Sequence, residues 1–401
     1  MFLVLTLYFL PYANYQLYYP LLGLALLFSN GLSKTFKISS FVIIIVFAFF
    51  LMSVSILPRL LYYEYGSIWD LSEFFRFTPM LFMLLSHKQI SRKINIDTYV
   101  KATSAYIVID FIYTLCQYWR YENNFTEVLS FIFHAENHAK MLEIWSFVRP
   151  YGFSPNPGEH GMILLHGLSV LLGYMLFNRT ETKKKIGIYI TINVIALLIV
   201  QSKTVLVALA PLVFFTIYTL FLSNRFSIKK LLFTSFVLFL SVTKLQDLPK
   251  DDSFNHIHSI AYMLNSDISF EKSLPSSLIV RIEFWKEYAQ ELSHYELLSV
   301  TGIGKTMFSK SDLGSVFDND IMLMYVSYGL IFTFFVYSVF IIWFINSVYK
   351  WKTLSSSSKV VVFPVYSMLL AGVSLGSISS PKILTMNMLL LLIVWNKKNG
   401  N

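Results

Sequence analysis

The chain has 401 residues, of which 55% are hydrophobic and only 14% are charged, and its formal net charge is +9. This composition is too apolar for a soluble domain and indicates a membrane protein. The positive charge lies in short clusters between apolar runs, as topology signals do, so it does not indicate nucleic-acid binding. The single cysteine, Cys116, excludes a disulfide or a cysteine metal site built within the chain.

Membrane-length apolar runs follow one another along most of the chain. The first is broken at residues 11–16 and resumes as far as Leu32, so it forms either two short spans or one kinked span. We expect it to be retained, because residues 1–10 carry neither a basic segment nor a small-residue cleavage site. Further spans are predicted at 39–57, 70–87, 98–118, 158–177, 186–201, 203–222, 228–243, 319–347, 359–378 and 382–396. The sequence therefore predicts an all-α polytopic membrane protein, a bundle of about 11–12 transmembrane helices.

Basic clusters between the spans set the predicted orientation. They lie at residues 34–37, 88–93, 183–185, 225–230, 350–359 and 397–398, all on the side that the positive-inside rule makes cytoplasmic. Two longer connections, 119–157 and 244–318, then lie outside, and the second has seven Lys or Arg against eleven Asp or Glu. The chain is therefore predicted to have three regions. Residues 1–243 contain transmembrane helices 1–9 and the smaller external segment, residues 244–318 form a large helical periplasmic loop, and residues 319–401 contain the C-terminal transmembrane helices.

The middle of the large loop contains a predicted helix, residues 279–295. At 100° per residue, one face carries three glutamates and the opposite stripe is mostly aromatic. That stripe consists of Arg281, Trp285, Tyr288, Leu292 and Tyr295. The guanidinium of Arg281 either snorkels to phospholipid headgroups or binds a phosphate beneath the loop. Trp285 and Tyr288 either stack on sugar rings or lie on lipid.

The smaller external segment ends in residues 149–161, a stretch rich in proline and glycine that runs into a predicted span. Irregular backbone at membrane depth is tolerated where protein or a wet cavity covers it, so this stretch favours a cavity. Glu159 and His166 share one face of the following helix. Glu159 either caps the helix N-terminus or takes part in chemistry, and His166 is either a hydrogen-bonded packing residue or part of a site.

Two further polar positions flank predicted spans. Lys203 is the one charge in the turn 201–205 and is either a surface lysine or a phosphate contact. Asp318 and Asn319 lie at the start of the span at 319–347, which one of them caps unless Asp318 is a general base for a sugar hydroxyl. Asp318 and Asp320 also have a spacing seen in metal-binding carboxylates, but no histidine nearby supports a metal site.

Residues 302–306, Gly-Ile-Gly-Lys-Thr, look like the end of a phosphate-binding P-loop. The first glycine of that motif would fall at Ser299, and the segment lies on the predicted external side, where there is no ATP. We therefore interpret Gly302 as part of a glycine turn within the loop.

The order of these short motifs resembles one family. Their succession resembles that in the O-antigen and capsule polymerases of the Wzy type, whose superfamily includes the O-antigen ligases. In chain order the motifs are Arg149 with Gly152 and Asn156-Pro157, Ser202-Lys203, Arg281 with Trp285, Gly302-Ile-Gly304, Asp318-Asn319 and Tyr328-Gly329. The resemblance covers roughly residues 149–329 and the late large external loop.

The resemblance implies an enzyme of the bacterial inner membrane that joins undecaprenyl-diphosphate-linked oligosaccharide repeat units at the periplasmic face, without metal, nucleotide sugar or other cofactor. Arg149 and Arg281 would hold the diphosphate, assisted by Lys203, which stands where many relatives have arginine. Asp318 is the first choice of base and Glu159 the second. Asn319, Trp285, Tyr288 and His166 would contact substrate. A Wzz-type chain-length regulator and a Wzx-type flippase would act in the same pathway.

Three other functions remain open at this stage. A ligase shares the chemistry, but Asp318 stands where ligases usually carry histidine. A flippase or transporter often shows matching halves, and the sequence has no internal repeat. A multispan lipid-dependent glycosyltransferase usually places an acidic loop after its first span, whereas residues 11–16 are short and uncharged.

Overall fold

The computed structural model describes residues 1–10, 19–25, 40–62, 73–86, 89–90, 93–119, 128–129, 132, 150–154, 156–178, 183–200, 202–223, 286, 290, 300–302, 320–372 and 380–398. Regular secondary structure in these residues is entirely helical. In chain order the helices are α1 (Phe2–Tyr8), α2 (Ser40–Tyr62), α3 (Glu73–Leu85), α4 (Ile96–Tyr118), α5 (Pro157–Phe177), α6 (Lys183–Val200), α7 (Lys203–Leu222), α8 (Asp320–Tyr349), α9 (Ser356–Ala371) and α10 (Pro381–Lys398).

Several helices begin at side-chain caps that the sequence carries. Asn95 Oδ1 accepts a hydrogen bond from the backbone N–H of Thr98 (2.8 Å) at the start of α4. Ser355 Oγ accepts one from the backbone N–H of Ser358 (3.2 Å) at the start of α9. Each cap satisfies an amide that the first helical turn leaves without an intrahelical partner. The helices therefore begin close to where the apolar runs of the sequence begin.

Some predicted segments differ from the helices. The apolar run at 359–378 corresponds to α9, which ends at Ala371 with Gly372 as its C-cap. The run at 228–243 lies outside the described residues. In the first run the helix is short, since α1 ends at Tyr8, before Pro11.

Helix α5 lies at the centre of the described bundle, with nearly all of its side chains buried. It contacts α4, α6, α7, α9 and α10. It approaches α9 closely at Gly173, where an added Cβ would lie 2.9 Å from the backbone oxygen of Val360. Phe177, the last residue of α5, contacts Trp351, which precedes α9, so the two helices run antiparallel. The C-terminal end of α9 therefore lies beside the N-terminal end of α5.

Helix α8 is not one straight helix. Gly329 has φ of +82° and ψ of 175°, and the hydroxyl of Tyr337 donates a hydrogen bond to Asp320 Oδ2 (2.6 Å) across this break. Residues 17 apart in an uninterrupted α-helix would be separated by about 25 Å. Residues 320–328 therefore fold back against 330–349. This corrects the expectation of a single span over 319–347.

The end of the large loop packs against this break. Gly302 also has positive φ (+78°), and a Cβ on either Gly302 or Gly329 would overlap backbone atoms of the other segment. Ser55 Oγ of α2 donates a hydrogen bond to the carbonyl of Thr301. Gly302 has the positive φ that a glycine turn uses, the rest of the predicted turn (303–306) lies outside the described residues, and the segments at Gly302 and Gly329 are in contact.

By length and composition, α5 and α8 could each cross a membrane. The apolar part of α5 is 89% buried within the protein, whereas that of α8 is 33% buried. The remainder of α8 after the break, residues 330–349, would be about 30 Å long, close to the thickness of a hydrocarbon core. The larger number of spans expected from the sequence stays a prediction.

Candidate functional site

The irregular stretch before α5 is held by a side chain of α4. Gln117 Oε1 accepts hydrogen bonds from the backbone N–H groups of Tyr151 (3.0 Å) and Gly152 (2.8 Å). A further bond from the N–H of Ser154 to the carbonyl of Tyr151 (3.0 Å) closes a turn. Gly152 has φ of +51°, a conformation that favours glycine. The stretch is therefore an ordered turn whose amides are satisfied by protein.

A buried hydrogen-bonded pair of side chains lies directly beneath this turn. The imidazole Nε2–H of His160 donates to Asp110 Oδ2 at 2.7 Å, and both side chains are fully buried. The hydroxyl of Tyr106 donates to the other carboxylate oxygen of Asp110 (3.1 Å). A Cβ on Gly152 would overlap both the His160 ring and the Asp110 carboxylate. The absence of a side chain at Gly152 therefore allows the turn to close over the pair.

Glu159 begins the helix at the edge of this cluster. Asn156 is the side-chain cap of α5, since its Oδ1 accepts from the N–H of Glu159 (2.7 Å) and Pro157 occupies the first turn. The carboxylate of Glu159 is half-buried and its Oε1 accepts a hydrogen bond from Ser380 Oγ (3.0 Å). The capping role considered for Glu159 thus belongs to Asn156. The Glu159 carboxylate instead faces the start of α10.

A buried lysine completes the cluster. Lys382, in the first turn of α10, is 2% exposed, and its Nζ donates to the carbonyl of Leu10 (3.2 Å). It lies two residues after Ser380, whose hydroxyl contacts the Glu159 carboxylate. Two carboxylates, one imidazole and one ammonium are thus gathered at the N-terminal end of α5. We name Asp110, Glu159, His160 and Lys382 the polar cluster.

His166 lies two turns further along the same face of α5. Its Nε2 is hydrogen-bonded to the hydroxyl of Tyr99 (2.9 Å), and the amide nitrogen of Asn387 lies 3.5 Å from its Nδ1. Glu159 and His166 both face α10, through Ser380 and Asn387, as their spacing indicates. His166 is buried and hydrogen-bonded on both sides, which supports its packing role.

The start of α7 packs against the first turns of α5. A Cβ on Gly161 would lie 2.8 Å from Cβ of Ser202, the buried N-cap of α7. Lys203 is the first residue of α7, so its backbone lies close to the polar cluster. Its side chain lies outside the part of the chain that the structure describes.

The start of α8 lies at the same end of the bundle. The N–H of Asp320 donates to the carbonyl of Gly372 (3.1 Å), at the C-terminal end of α9 and hence beside the N-terminal end of α5. The Asp320 carboxylate is buried and accepts from Tyr337. Within the described residues no three His, Cys, Asp or Glu side chains are grouped as metal ligands.

The remaining predicted site residues fall outside the described residues. They are Arg149, Arg281, Trp285, Tyr288, Asp318 and Asn319. Sequence reasoning missed three members of the polar cluster: Asp110, His160 and Lys382. The available signal was the occurrence of Asp110 inside a predicted span, where charged groups are expensive.

Replacing Gly152 with alanine should lower the thermal stability of the protein. Alanine at this positive φ costs roughly 1–2 kcal/mol even without the overlap with His160 and Asp110. We expect a clear decrease in the melting temperature of the detergent-solubilised protein. Gly187→Ala in α6 is the matched control, because a Cβ there meets no atom within 4 Å. Equal melting temperatures for the two variants would contradict the packing of the turn on the His160–Asp110 pair.

Comparison with known proteins assigns the chain to no family. No family model matches the chain, and neither the curated proteins nor the solved structures give a match. The family resemblance therefore depends on the order of the motifs in the sequence.

Proposed function

We propose that the protein is a multi-pass glycosyltransferase of the bacterial inner membrane that polymerises lipid-linked sugars. Its substrates would be oligosaccharide repeat units on undecaprenyl diphosphate, joined at the periplasmic face into O-antigen or capsular polysaccharide. A Wzx-type flippase would deliver these units, and a Wzz-type partner would regulate chain length.

One observation carries the proposal: segments that the sequence singled out separately meet at one end of the bundle. The turn at Gly152, the first turn of α5 with Glu159, the start of α7 at Ser202 and the start of α8 at Asp320 lie around the C-terminal end of α9 and the start of α10. Arg149, Lys203 and Asp318 directly adjoin these segments in sequence. A site assembled from several segments is what a transfer between two large substrates requires.

The distribution of apolar side chains supports a membrane location. Phe334 of α8 is 73% exposed and Phe214 of α7 is 65% exposed, with further exposed isoleucines along α2 and α8. In water such an apolar surface would promote aggregation, whereas the hydrocarbon of a lipid bilayer solvates it. The charged groups of the polar cluster lie inside the bundle, as intramembrane charges usually do.

The chemistry follows from the leaving group. The attacking sugar hydroxyl forms a bond to the anomeric carbon of the donor, and the bond from that carbon to the diphosphate breaks with its electron pair. Guanidinium groups of Arg149 and Arg281 would stabilise the negative charge on the departing diphosphate. Asp318 or Glu159 would accept the hydroxyl proton. The half-buried position of Glu159 beside Ser380 and Lys382 favours Glu159 among the described residues.

A transporter of lipid-linked oligosaccharide, such as a flippase, is the second candidate function. The observation that favours it is the buried polar cluster between α4, α5 and α10, because buried ionisable groups also form proton relays in transporters. An O-antigen ligase would share the site and differ in the acceptor.

Deleting the gene should separate these functions. A polymerase deletion leaves cells that display a single repeat unit on the surface lipid, because translocation continues without chain extension. A flippase deletion would strand the unit on the cytoplasmic side. A ligase deletion would leave long chains attached to the carrier lipid. The measurement is the length profile and location of the polysaccharide, with the plasmid-borne gene as control. Long chains of normal amount on the surface of the deletion strain would contradict all three.

Arg149→Ala and Arg281→Ala should each abolish long chains, because each removes a cation from the leaving diphosphate. The measurement is the polysaccharide profile of the complemented deletion strain, with the amount of each variant in the membrane measured alongside. Lys352→Ala is the matched control, since Lys352 is an exposed cation beyond the C-terminal end of α5. Normal profiles for both arginine variants would remove them from the site.

Arg281→Lys should also lose most of the activity. Lysine keeps the charge but lacks the planar fork that contacts two phosphate oxygens together. The expected profile is dominated by short chains at unchanged protein level. A wild-type profile would show that Arg281 acts as a simple charge and makes no bidentate contact.

A further inference from the structure

We propose that an apolar groove between α2, α8 and α10 holds the polyprenyl chain of the lipid carrier. The groove has a volume of about 350 Å³, and its lining residues belong to none of the motifs singled out in the sequence. The inference rests on the proposed function, because it locates the lipid part of that substrate within the fold.

The lining of the groove is suited to hydrocarbon. Asn346 is the one lining residue with an amide or charged side chain, and it is exposed near the end of α8. An apolar cavity excludes water, and its walls lose dispersion contacts if it stays empty. A hydrocarbon chain restores those contacts. Five of the lining side chains are aromatic, namely Phe49, Phe332, Phe335, Phe340 and Trp343.

The fold-back at Gly329 forms one end of the groove. Met324 lies before the break and Phe332 after it, and both line the groove. Met52 of α2 lines it as well, one turn before Ser55, whose hydroxyl contacts the segment that packs on Gly329. This end of the groove therefore lies next to Gly329, and the groove runs from there along residues 330–349 toward Asn346.

Helix α10 joins the same end of the groove to the polar cluster. Leu384 lines the groove, and its backbone N–H donates to the carbonyl of Ser380 (3.0 Å). The hydroxyl of Ser380 donates to Glu159, and Lys382 lies in the same turn. Cations and helix N-termini favour anions. A charged end of the bundle followed by an apolar groove therefore suits a lipid with an anionic headgroup and a long chain.

The length of the groove favours a polyprenyl chain over a phospholipid chain. From Phe332 to Asn346 the lining residues of α8 extend over about 21 Å. The hydrocarbon of one leaflet is only about 15 Å deep, so a phospholipid chain that starts at the Gly329 end would stop short of Asn346. A polyprenyl chain is much longer and passes the bilayer midplane. Its flat double bonds can also pack on the aromatic rings of the lining.

The groove is accessible from the bilayer along α8. Ile342 lines the groove and is 58% exposed, whereas Met52, Met324 and Leu384 near the Gly329 end are buried. A chain can therefore enter sideways from the lipid. The buried end would then hold the part of the chain that is nearest to the diphosphate.

The test is photo-crosslinking of the full-length protein in cells, with p-benzoylphenylalanine in place of Val339, which lines the middle of the groove. Mass spectrometry of the purified protein should show an adduct with the polyprenyl carrier lipid. Ile345 is the matched control position, because it lies on the same helix, is 58% exposed and does not line the groove. We expect phospholipid adducts there. Ile342 is a second groove position if the Val339 variant does not accumulate.

Filling the groove should displace the chain. Ala48 of α2 lines it, and Ala48→Trp should lower the yield of the carrier adduct at Val339 about tenfold, equivalent to about 1.4 kcal/mol of binding free energy. The same variant should shorten the polysaccharide at an unchanged amount of protein in the membrane. Val46→Trp is the control, since Val46 lies on the same helix, is 55% exposed and is not part of the lining.

Distinct outcomes would overturn the inference or the proposed function. Phospholipid adducts alone at Val339 and Ile342, or a carrier adduct that Ala48→Trp does not reduce, would show that the groove does not hold the carrier chain. If the deletion strain then displays single repeat units, the polymerase function stands without the groove. A carrier adduct at Val339, together with repeat units stranded on the cytoplasmic side of the deletion strain, would keep the groove and remove the polymerase function.

Discussion

The contact between Asp110 and His160 is the interaction on which the structure around the N-terminal end of α5 depends. A carboxylate within apolar helices needs a partner with which it forms charge-assisted hydrogen bonds, and here the partner lies 50 residues later in the first turn of α5. The pair ties α4 to α5, and Tyr106 satisfies the remaining carboxylate oxygen. The turn at Gly152 can lie against the pair because it has no side chain. The turn at Gly152, the start of α5 and the buried side chains of Asp110 and His160 therefore form one structural unit.

Around this unit the fold gathers segments that are far apart in the chain. Antiparallel packing of α5 and α9 places the end of α9 beside the start of α5, and the starts of α8 and α10 follow from it. The result is an end of the bundle where several helix N-termini lie around buried polar side chains. Such an arrangement suits negatively charged substrates, since helix N-termini and cations both favour anions. This is the physical basis on which the polymerase proposal stands.

The sequence predicted the helices well, because long apolar runs with polar caps have few alternatives. The face shared by Glu159 and His166 was also predictable, since helical spacing alone determines it. The polar cluster was not predictable, because tertiary packing brings its members together. Asp110 and His160 are 50 residues apart in the sequence, and Glu159 and Lys382 are more than 200 apart. Lys382 had an ordinary explanation at the start of a predicted span. The break at Gly329 was hidden as well, since a glycine in an apolar run does not reveal its φ angle.

The fold-back at Gly329 has a mechanical consequence for the large loop. Since residues 320–328 lie alongside the early part of 330–349, the loop re-enters the protein beside the middle of a helix rather than at its tip. Residues 320–328 thus form a short arm. At its other end, the backbone of Gly302 packs against that of Gly329. Because Asp320 is bonded to Tyr337 at one end and Gly329 packs against Gly302 at the other, residues 320–328 are fastened to the protein at both ends.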